Sequence, residues 1–292
     1  MKEITINKTN ENQRFDKFLK RIMPSASNAF IYKMLRKKNI ELNSKRAKGD
    51  EILKNGDNIK IYFSDETFLK MSAASSNLNT DIYLKAYNEI KNIEIIFEHE
   101  DFMIVNKPEG VLSQKDTPDS ISVNEWCIGY LMSKNFIDRE SLKQFKPSVL
   151  NRLDRNTKGL LIFGKTLNGS RRLSEMIQKR DIKKYYIAKT EGKCTLNGKF
   201  KAYLNKDSKS NKVTIYEKED DIPDGVKTSP ITTDIKVLKA ENDYSLLEID
   251  LITGKSHQIR AHLSKLGYPL IGDFKYNGKT DSKNRYQNLT AY

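Results

Sequence analysis

The sixteen residues Val149-Leu150-Asn151-Arg152-Leu153-Asp154-Arg155-Asn156-Thr157-Lys158-Gly159-Leu160-Leu161-Ile162-Phe163-Gly164 constrain this chain more than any other stretch. A polar loop places one carboxylate, Asp154, between Arg152 and Arg155. It runs straight into Leu160-Leu161-Ile162-Phe163, a short continuous apolar run that reads as a buried strand. Gly159, at the junction, permits a sharp turn. The neighbouring cations favour the ionised form of Asp154, and an ionised carboxylate suits a nucleophile. An Arg-x-Asp triplet alone is equally at home as a structural salt bridge or a turn cap, so it is the longer string that carries weight.

Composition limits the partners. The chain has 292 residues, room for one large domain or two smaller ones, and enough apolar residues for a real core. Its net charge of +14 points to a polyanion, either nucleic acid or an acidic membrane surface. The apolar runs fall far short of the roughly 20 residues a spanning helix needs. The opening MKEITINKTNENQ has no apolar core of a signal peptide. Cys127 and Cys194 show no spacing pattern, so a reducing cytoplasm is the expected location. His99, His257 and His262, without a C-x-x-C pair, argue against a structural zinc site. His257 and His262 are five apart, the wrong spacing for joint ligation from one helix face.

Residues 1–63 read as a separate small α/β module. Phe15, Phe18, Leu19 and Ile22 recur at i, i+3, i+4 and i+7, an amphipathic helix that Pro24 ends. Ser27 caps a second helix from Asn28 to about Lys37, with Ile31 and Leu35 facing inward and Lys33, Arg36, Lys37 and Lys38 outward. Ile40-Glu41-Leu42-Asn43, a basic turn containing Lys45 and Arg46, and the alternating strand Ile59–Phe63 complete it. This segment holds 15 Lys and Arg against 7 Asp and Glu, more than half of the chain's net charge. The density favours phosphate contact through Lys33, Arg36, Lys37, Lys45 and Arg46 over a merely solvated face. Residues 64–92 read as a linker, with the small polar run Ser72-Ala73-Ala74-Ser75-Ser76-Asn77 and a short helix around Tyr83 to Ile90.

Residues 93–292 form the larger domain. Strands are expected at Ile93–Phe97 and Phe102–Val105, the second ending in Asn106-Lys107-Pro108-Glu109-Gly110. A helix follows from about Ser122 to Ser133, then a polar loop. Beyond Asp154 come a helix over Leu167–Lys179 with Leu173, Met176 and Ile177 inward, and a strand over Lys184–Ala188. Leu247, Ile249 and Leu251 alternate on one face of a half-buried strand. It leads into Thr253-Gly254-Lys255-Ser256-His257-Gln258-Ile259-Arg260-Ala261-His262-Leu263. Its G-K-S is not a phosphate loop, because a P-loop needs glycine where Ile249 stands.

Taken together, these strings resemble the RluA-type pseudouridine synthases. The matching segments are N-K-P-x-G at Asn106, R-L-D-x-x-T-x-G at Arg152, K-x-Y-x-A at Lys184, the T-G-x-x-H-Q-I-R-x-H-L segment at Thr253 and G-D-x-x-Y at Gly272. The N-terminal order of helix, basic helix, basic turn and strand is similar to the alpha-L RNA-binding module. The resemblance implies an α+β fold: a mixed, largely antiparallel sheet with flanking helices behind a small N-terminal RNA-binding module. It implies isomerisation of uridine to pseudouridine in structured RNA, with no metal, cofactor or nucleotide. Asp154 would be the essential catalytic residue and Arg260 its partner. Tyr186 would stack on the uracil, and Arg152 would fill the gap left by the flipped base or hold the backbone. The implied partner is large-subunit ribosomal RNA, with transfer RNA as the alternative substrate and a monomer as the default state. A non-catalytic RNA-binding protein of the same fold would have lost Asp154, Tyr186 or Arg260. A membrane-surface protein would need a longer amphipathic helix than Phe15–Ile22. Three positions depart from the family pattern: Asn151 where many members have His, Lys158 where Ser is common, and Lys255 in place of an Arg. Arg to Lys loses fork geometry at phosphate. The family pattern typically continues into a further strand beyond Tyr292, so the resemblance implies either that this strand is missing or that this member is short.

Overall fold

The computed structural model describes residues 1–72, 79–207, 212–279 and 286–292. The first apolar cluster forms around β1 (Lys2–Thr5), α1 (Phe15–Ile22), α2 (Asn28–Arg36), β2 (Ile40–Leu42), β3 (Lys45–Arg46) and β4 (Asn58–Ile61). The four strands are antiparallel in the order β1-β4-β2-β3. Phe15, Phe18, Leu19 and Ile22 of α1 are all buried, as their spacing requires. The Ser27 hydroxyl accepts the Phe30 amide at the start of α2. Asn43 and Ser44 both adopt left-handed backbone, the pair of conformations that closes a two-residue hairpin between β2 and β3. Lys33, Arg36, Lys37, Lys45 and Arg46 are all exposed.

The second cluster is built on a ten-stranded sheet. Its strands are β5 (Glu94–Glu98), β6 (Phe102–Lys107), β7 (Ser148–Val149), β8 (Lys158–Gly164), β9 (Tyr185–Glu191), β10 (Gly198–Lys206), β11 (Val213–Tyr216), β12 (Ser229–Ala240), β13 (Tyr244–Asp250) and β14 (Leu289–Ala291). The order is β11-β10-β12-β13-β9-β14-β8-β6-β5, with β7 also paired to β8. Every pairing is antiparallel except β14 with β8, so the sheet is mixed and largely antiparallel. Helices α5 (Val123–Ser133), α6 (Arg139–Gln144), α7 (Leu167–Lys179) and α8 (Gln258–Lys265) flank it. Leu161 and Phe163 of β8 are fully buried, in register with Val105 and Met103 of β6.

The segment read as a linker is largely helical. In α3 (Asp65–Ser72), Phe68 joins the first cluster; in α4 (Asp81–Glu89), Tyr83 and Ala86 join the second. The small polar run falls mostly within 73–78, outside the described residues. Helix α4 lies so close to α5 that a Cβ on Gly129 would sit 2.2 Å from the Tyr83 carbonyl oxygen. The expected polar loop contains α6, capped by the Asp138 side chain. In α7, Leu173, Met176 and Ile177 are only half-buried. The helix buries its first turn, Leu167 and Gly169, where a Cβ on Gly169 would lie 2.5 Å from the Asp101 carbonyl oxygen. The Arg21 guanidinium donates to the Gln144 carbonyl at 3.0 Å, Leu167 N–H to the Thr9 carbonyl at 3.1 Å, and Arg171 to the Asn12 carbonyl at 2.8 Å. The N-terminal elements are thereby seated against α6 and α7.

Leu289–Ala291 forms β14 and sits between β8 and β9. Gly159 has φ +121°, and a Cβ there would lie 2.0 Å from the Ala291 carbonyl oxygen. The glycine that permits the turn into β8 therefore also admits the last strand. Gly159→Ala is expected to cost about 2–4 kcal/mol and to lower the thermal midpoint measured by circular dichroism; an unchanged midpoint would show that β14 does not need this close approach.

Candidate active site

Asp154, Arg152, Tyr186, His257, Arg260 and Asp273 line one cavity of about 950 Å³. Four distant segments supply them: the loop between β7 and β8, strand β9, helix α8 with its preceding turn, and the turn that follows α8.

The loop that carries Asp154 is pinned at nearly every step. Asn151 bridges to β8, accepting the Ile162 amide at 2.8 Å and donating to the Leu160 carbonyl at 3.2 Å. Its side chain thus substitutes for a strand partner. The Ser113 hydroxyl donates to the Leu153 carbonyl at 2.8 Å and accepts the Leu153 amide at 3.0 Å. Thr157 N–H donates to the Asp154 carbonyl at 3.1 Å, and the Gln287 amide group donates to the Thr157 hydroxyl at 2.8 Å. Lys107, wholly inaccessible to solvent, donates to three carbonyls: Pro108 at 2.9 Å, Val111 at 2.8 Å and Arg155 at 2.8 Å. Burial pulls its pKa down to about 8, with Asp154 acting in the opposite sense, so the ammonium and its three donors persist at neutral pH. Asp154 itself is only half-buried at the cavity wall.

One guanidinium links two carboxylates. Arg260 Nη1 donates to Asp154 Oδ2 at 2.8 Å, while Nε and Nη2 hold Asp273 Oδ2 and Oδ1 at 2.7 and 2.8 Å. Arg260 is 8 % exposed and Asp273 is buried. Burial disfavours the arginine's charge, but the hydrogen bonds and charge of Asp273, followed by those of Asp154, outweigh it and raise the pKa. The planar fork suits this task, since two of its edges meet two acceptors at once. The cation against Asp154 is thus Arg260, more than a hundred residues away. Of the two flanking arginines, Arg155 pairs with Asp116 at 3.5 Å and Arg152 is exposed at the cavity wall.

Tyr186 lies on central strand β9, opposite Ile249 of β13 and Ala291 of β14. It is 7 % exposed, and burial together with the Asp154 charge pushes its hydroxyl pKa up to about 12. The phenol stays protonated, and the side chain lines the cavity.

Sequence reasoning gave no role to Lys107, His257, Asp273 or Tyr276, although each falls inside a quoted motif. His257 takes a left-handed backbone at the start of α8. The Tyr276 hydroxyl accepts the Val213 amide at 3.1 Å and lies 2.8 Å from His257 Nδ1. The tautomer of the ring sets which of Nδ1 and the hydroxyl donates, and the other ring nitrogen, Nε2, lies 3.9 Å from Asp154 Oδ1. Burial lowers the His257 pKa, opposed by Asp154 and assisted by Arg260, Lys275 and Lys206, which favours the neutral ring. His262 turns away: its Nδ1 meets the Thr233 hydroxyl at 3.0 Å, and burial lowers its pKa to about 4. The two histidines act separately.

Asp273→Asn should leave Arg260 with an underneutralised charge in a buried site. A loss of about 3 kcal/mol in stability is expected, read as a fall of roughly 6–12 °C in thermal midpoint. A midpoint within a degree of wild type would mean that Asp273 does not hold the guanidinium.

A family model described as RNA pseudouridylate synthase matches residues 101–265. A Mycoplasma capricolum protein named "Uncharacterized RNA pseudouridine synthase" is 29% identical over 300 residues, covering 100% of this chain and 90% of its own length. The "Ribosomal large subunit pseudouridine synthase C" of Rickettsia felis is 31% identical over 272 residues, covering 92% of this chain and 83% of its own. Among solved structures, human RNA Pseudouridylate Synthase Domain Containing 4 shares the fold with a TM-score of 0.55 at 21% identity, over 72% of this chain and 85% of that one. The family match spans more than half of the sequence, and the Rickettsia protein aligns with nearly all of it. This chain therefore belongs to the RNA pseudouridylate synthase family, in its RluA-type branch, and is an isomerase that acts on RNA.

Proposed function

We propose that this enzyme converts uridine to pseudouridine in large-subunit ribosomal RNA, with Asp154 as the catalytic carboxylate. The observation that carries the reading is the Asp154–Arg260–Asp273 chain facing one cavity with Tyr186. The reaction breaks N1–C1′, turns the uracil and joins C5 to C1′. N1 gains a proton as C5 loses one, so atoms balance with no co-reactant. A carboxylate here serves three first steps: attack at C1′, attack at C6, or removal of the 2′ proton. The target base is first flipped out of its stack. Tyr186 stacks on the uracil, and Arg152 occupies the vacated position or holds the backbone. Arg260 keeps Asp154 aimed, and Asp273 keeps Arg260 in place.

The substrate assignment rests on three supports. Relatives from Rickettsia carry the name ribosomal large subunit pseudouridine synthase C. The N-terminal elements follow the order of an alpha-L module. Their exposed Lys33, Arg36, Lys37, Lys45 and Arg46 suit phosphate contacts, which position RNA without reading its sequence. Residues 1–63 then act as the RNA-binding module and 93–292 as the catalytic domain, in a cytoplasmic monomer. Among the described residues no helix is long and apolar enough to cross a membrane. Transfer RNA is the alternative substrate.

Tritium release from C5-labelled uridine, measured on unmodified large-subunit ribosomal RNA and on bulk transfer RNA, tests both parts. Wild type should release label from the ribosomal RNA, and Asp154→Asn should bind it with release at least about 10³-fold slower. Full activity of Asp154→Asn would remove the carboxylate from the mechanism; release from transfer RNA alone would change the substrate. Replacing Lys33, Arg36, Lys37, Lys45 and Arg46 together by Gln should flatten the slope of log affinity against log salt by about 3.5–4.5. An unaltered slope would take these cations off the RNA.

A further inference from the structure

We propose that Phe274 is a stacking platform for the nucleobase adjoining the target uridine, a subsite that rests on reading the cavity as the uridine pocket. Phe274 is 61 % exposed and lines the cavity. Among the described residues, the other large apolar side chains exposed by more than half, Met1, Ile52 and Leu69, do not line it. A single exposed phenylalanine needs no explanation on an ordinary surface. Here the ring borders the cavity of an enzyme that acts on RNA, with the cations of Arg152, Lys255 and Lys275 in the same wall.

The backbone that carries the ring is also fixed. The residue begins a one-turn 3-10 helix, Phe274–Tyr276, fixed on both sides. Before it, Asp273 is buried and bound twice by Arg260. After it, Tyr276 is buried, with its hydroxyl engaged by Val213 and His257. The turn closes on itself, with Tyr276 N–H and Gly278 N–H both donating to the Asp273 carbonyl, at 3.1 and 2.9 Å. A Cβ on Gly278 would lie 2.1 Å from the Leu270 carbonyl oxygen, so the segment is packed down against the chain behind it. An aromatic ring held on such a support loses little freedom when a base lands on it.

Flipping one base out of a stack uncovers the faces of its neighbours. An aromatic face at the pocket mouth restores one of those contacts. Phenylalanine has no polar atom with which to choose among bases, so the contact accepts any neighbour. Phe274 then sets how the strand bends into the cavity, while the cations hold its backbone.

The test uses full-length enzyme and a synthetic RNA carrying a mapped target uridine, from whichever RNA class wild type turns over, so a wrong substrate class does not confound it. Phe274→Ala should lower kcat/KM for tritium release by about 5- to 150-fold, with the thermal midpoint unchanged. Phe274→Trp should retain activity and Phe274→Leu should not. Replacing the 5′ or the 3′ neighbour of the target by an abasic nucleotide should, on one side, erase the difference between wild type and Phe274→Ala. Equal kcat/KM for wild type and Phe274→Ala on intact RNA overturns the proposal. So does a Phe274→Ala defect that persists on both abasic RNAs, or full activity of Phe274→Leu.

Discussion

The guanidinium of Arg260 is the group on which the cavity depends. It takes one contact with Asp154 and two with Asp273, so a buried cation is neutralised by one carboxylate that solvent does not reach and one that faces the cavity. A buried ion pair gives little net stability, because desolvation offsets much of the attraction. What it supplies here is position. Asp273 satisfies the fork and sets its plane, and the remaining N–H reaches a carboxylate on an otherwise irregular loop. The Tyr276 ring lies 5.2 Å from the guanidinium carbon and its hydroxyl engages His257, so the turn after α8 supports both side chains that α8 and its N-terminal end bring to Asp154.

A loop holding an exposed-edge carboxylate would ordinarily move. This one is restrained by polar contacts from outside itself: Ser113 at Leu153, Lys107 at Arg155, Gln287 at Thr157 and Asn151 back to β8. Lys107 and Gln287 lie 180 residues apart in sequence, yet they hold the loop at positions two residues apart, Arg155 and Thr157. Insertion of β14 between β8 and β9 brings Gln287 there, and Gly159 makes room for that strand. The packing of the sheet centre and the immobility of the loop are therefore one feature. The proposed chemistry needs it, because a carboxylate displaced by an ångström would miss the reacting atom at any of the three first steps.

Much was legible from residue order. The i, i+3, i+4, i+7 spacing located α1, Ser27 marked the cap of α2, and the apolar run at Leu160 located β8. These are local effects, governed by helix periodicity, capping and strand burial. The order of motifs likewise identified the family and the mixed, largely antiparallel sheet. Local reasoning failed where packing decided. Residues 65–72 are polar enough to read as a linker, but Phe68 finds a core to enter; the short helix expected around Tyr83 to Ile90 is present as α4, and Tyr83 enters the second core. In α7 the apolar stripe has the right period, but the helix buries its first turn instead, leaving Leu173, Met176 and Ile177 half-exposed.

The sequence by itself determined which residue types were available and that Asp154 sits on a loop entering a buried strand. The cations adjacent in sequence were the wrong guide to its partner, because a flanking side chain on a turn points where the turn sends it. Arg155 goes to Asp116, and Arg152 goes to solvent. The motif resemblance named Arg260 as the partner of Asp154 and put Tyr186 in the same site; only the tertiary structure added Asp273 and His257 to that pair, set Tyr186 on a central strand, and left Phe274 standing at the cavity's edge. Those relations depend on where helix α8 and its following turn pack against the sheet, a long-range outcome that no local pattern encodes.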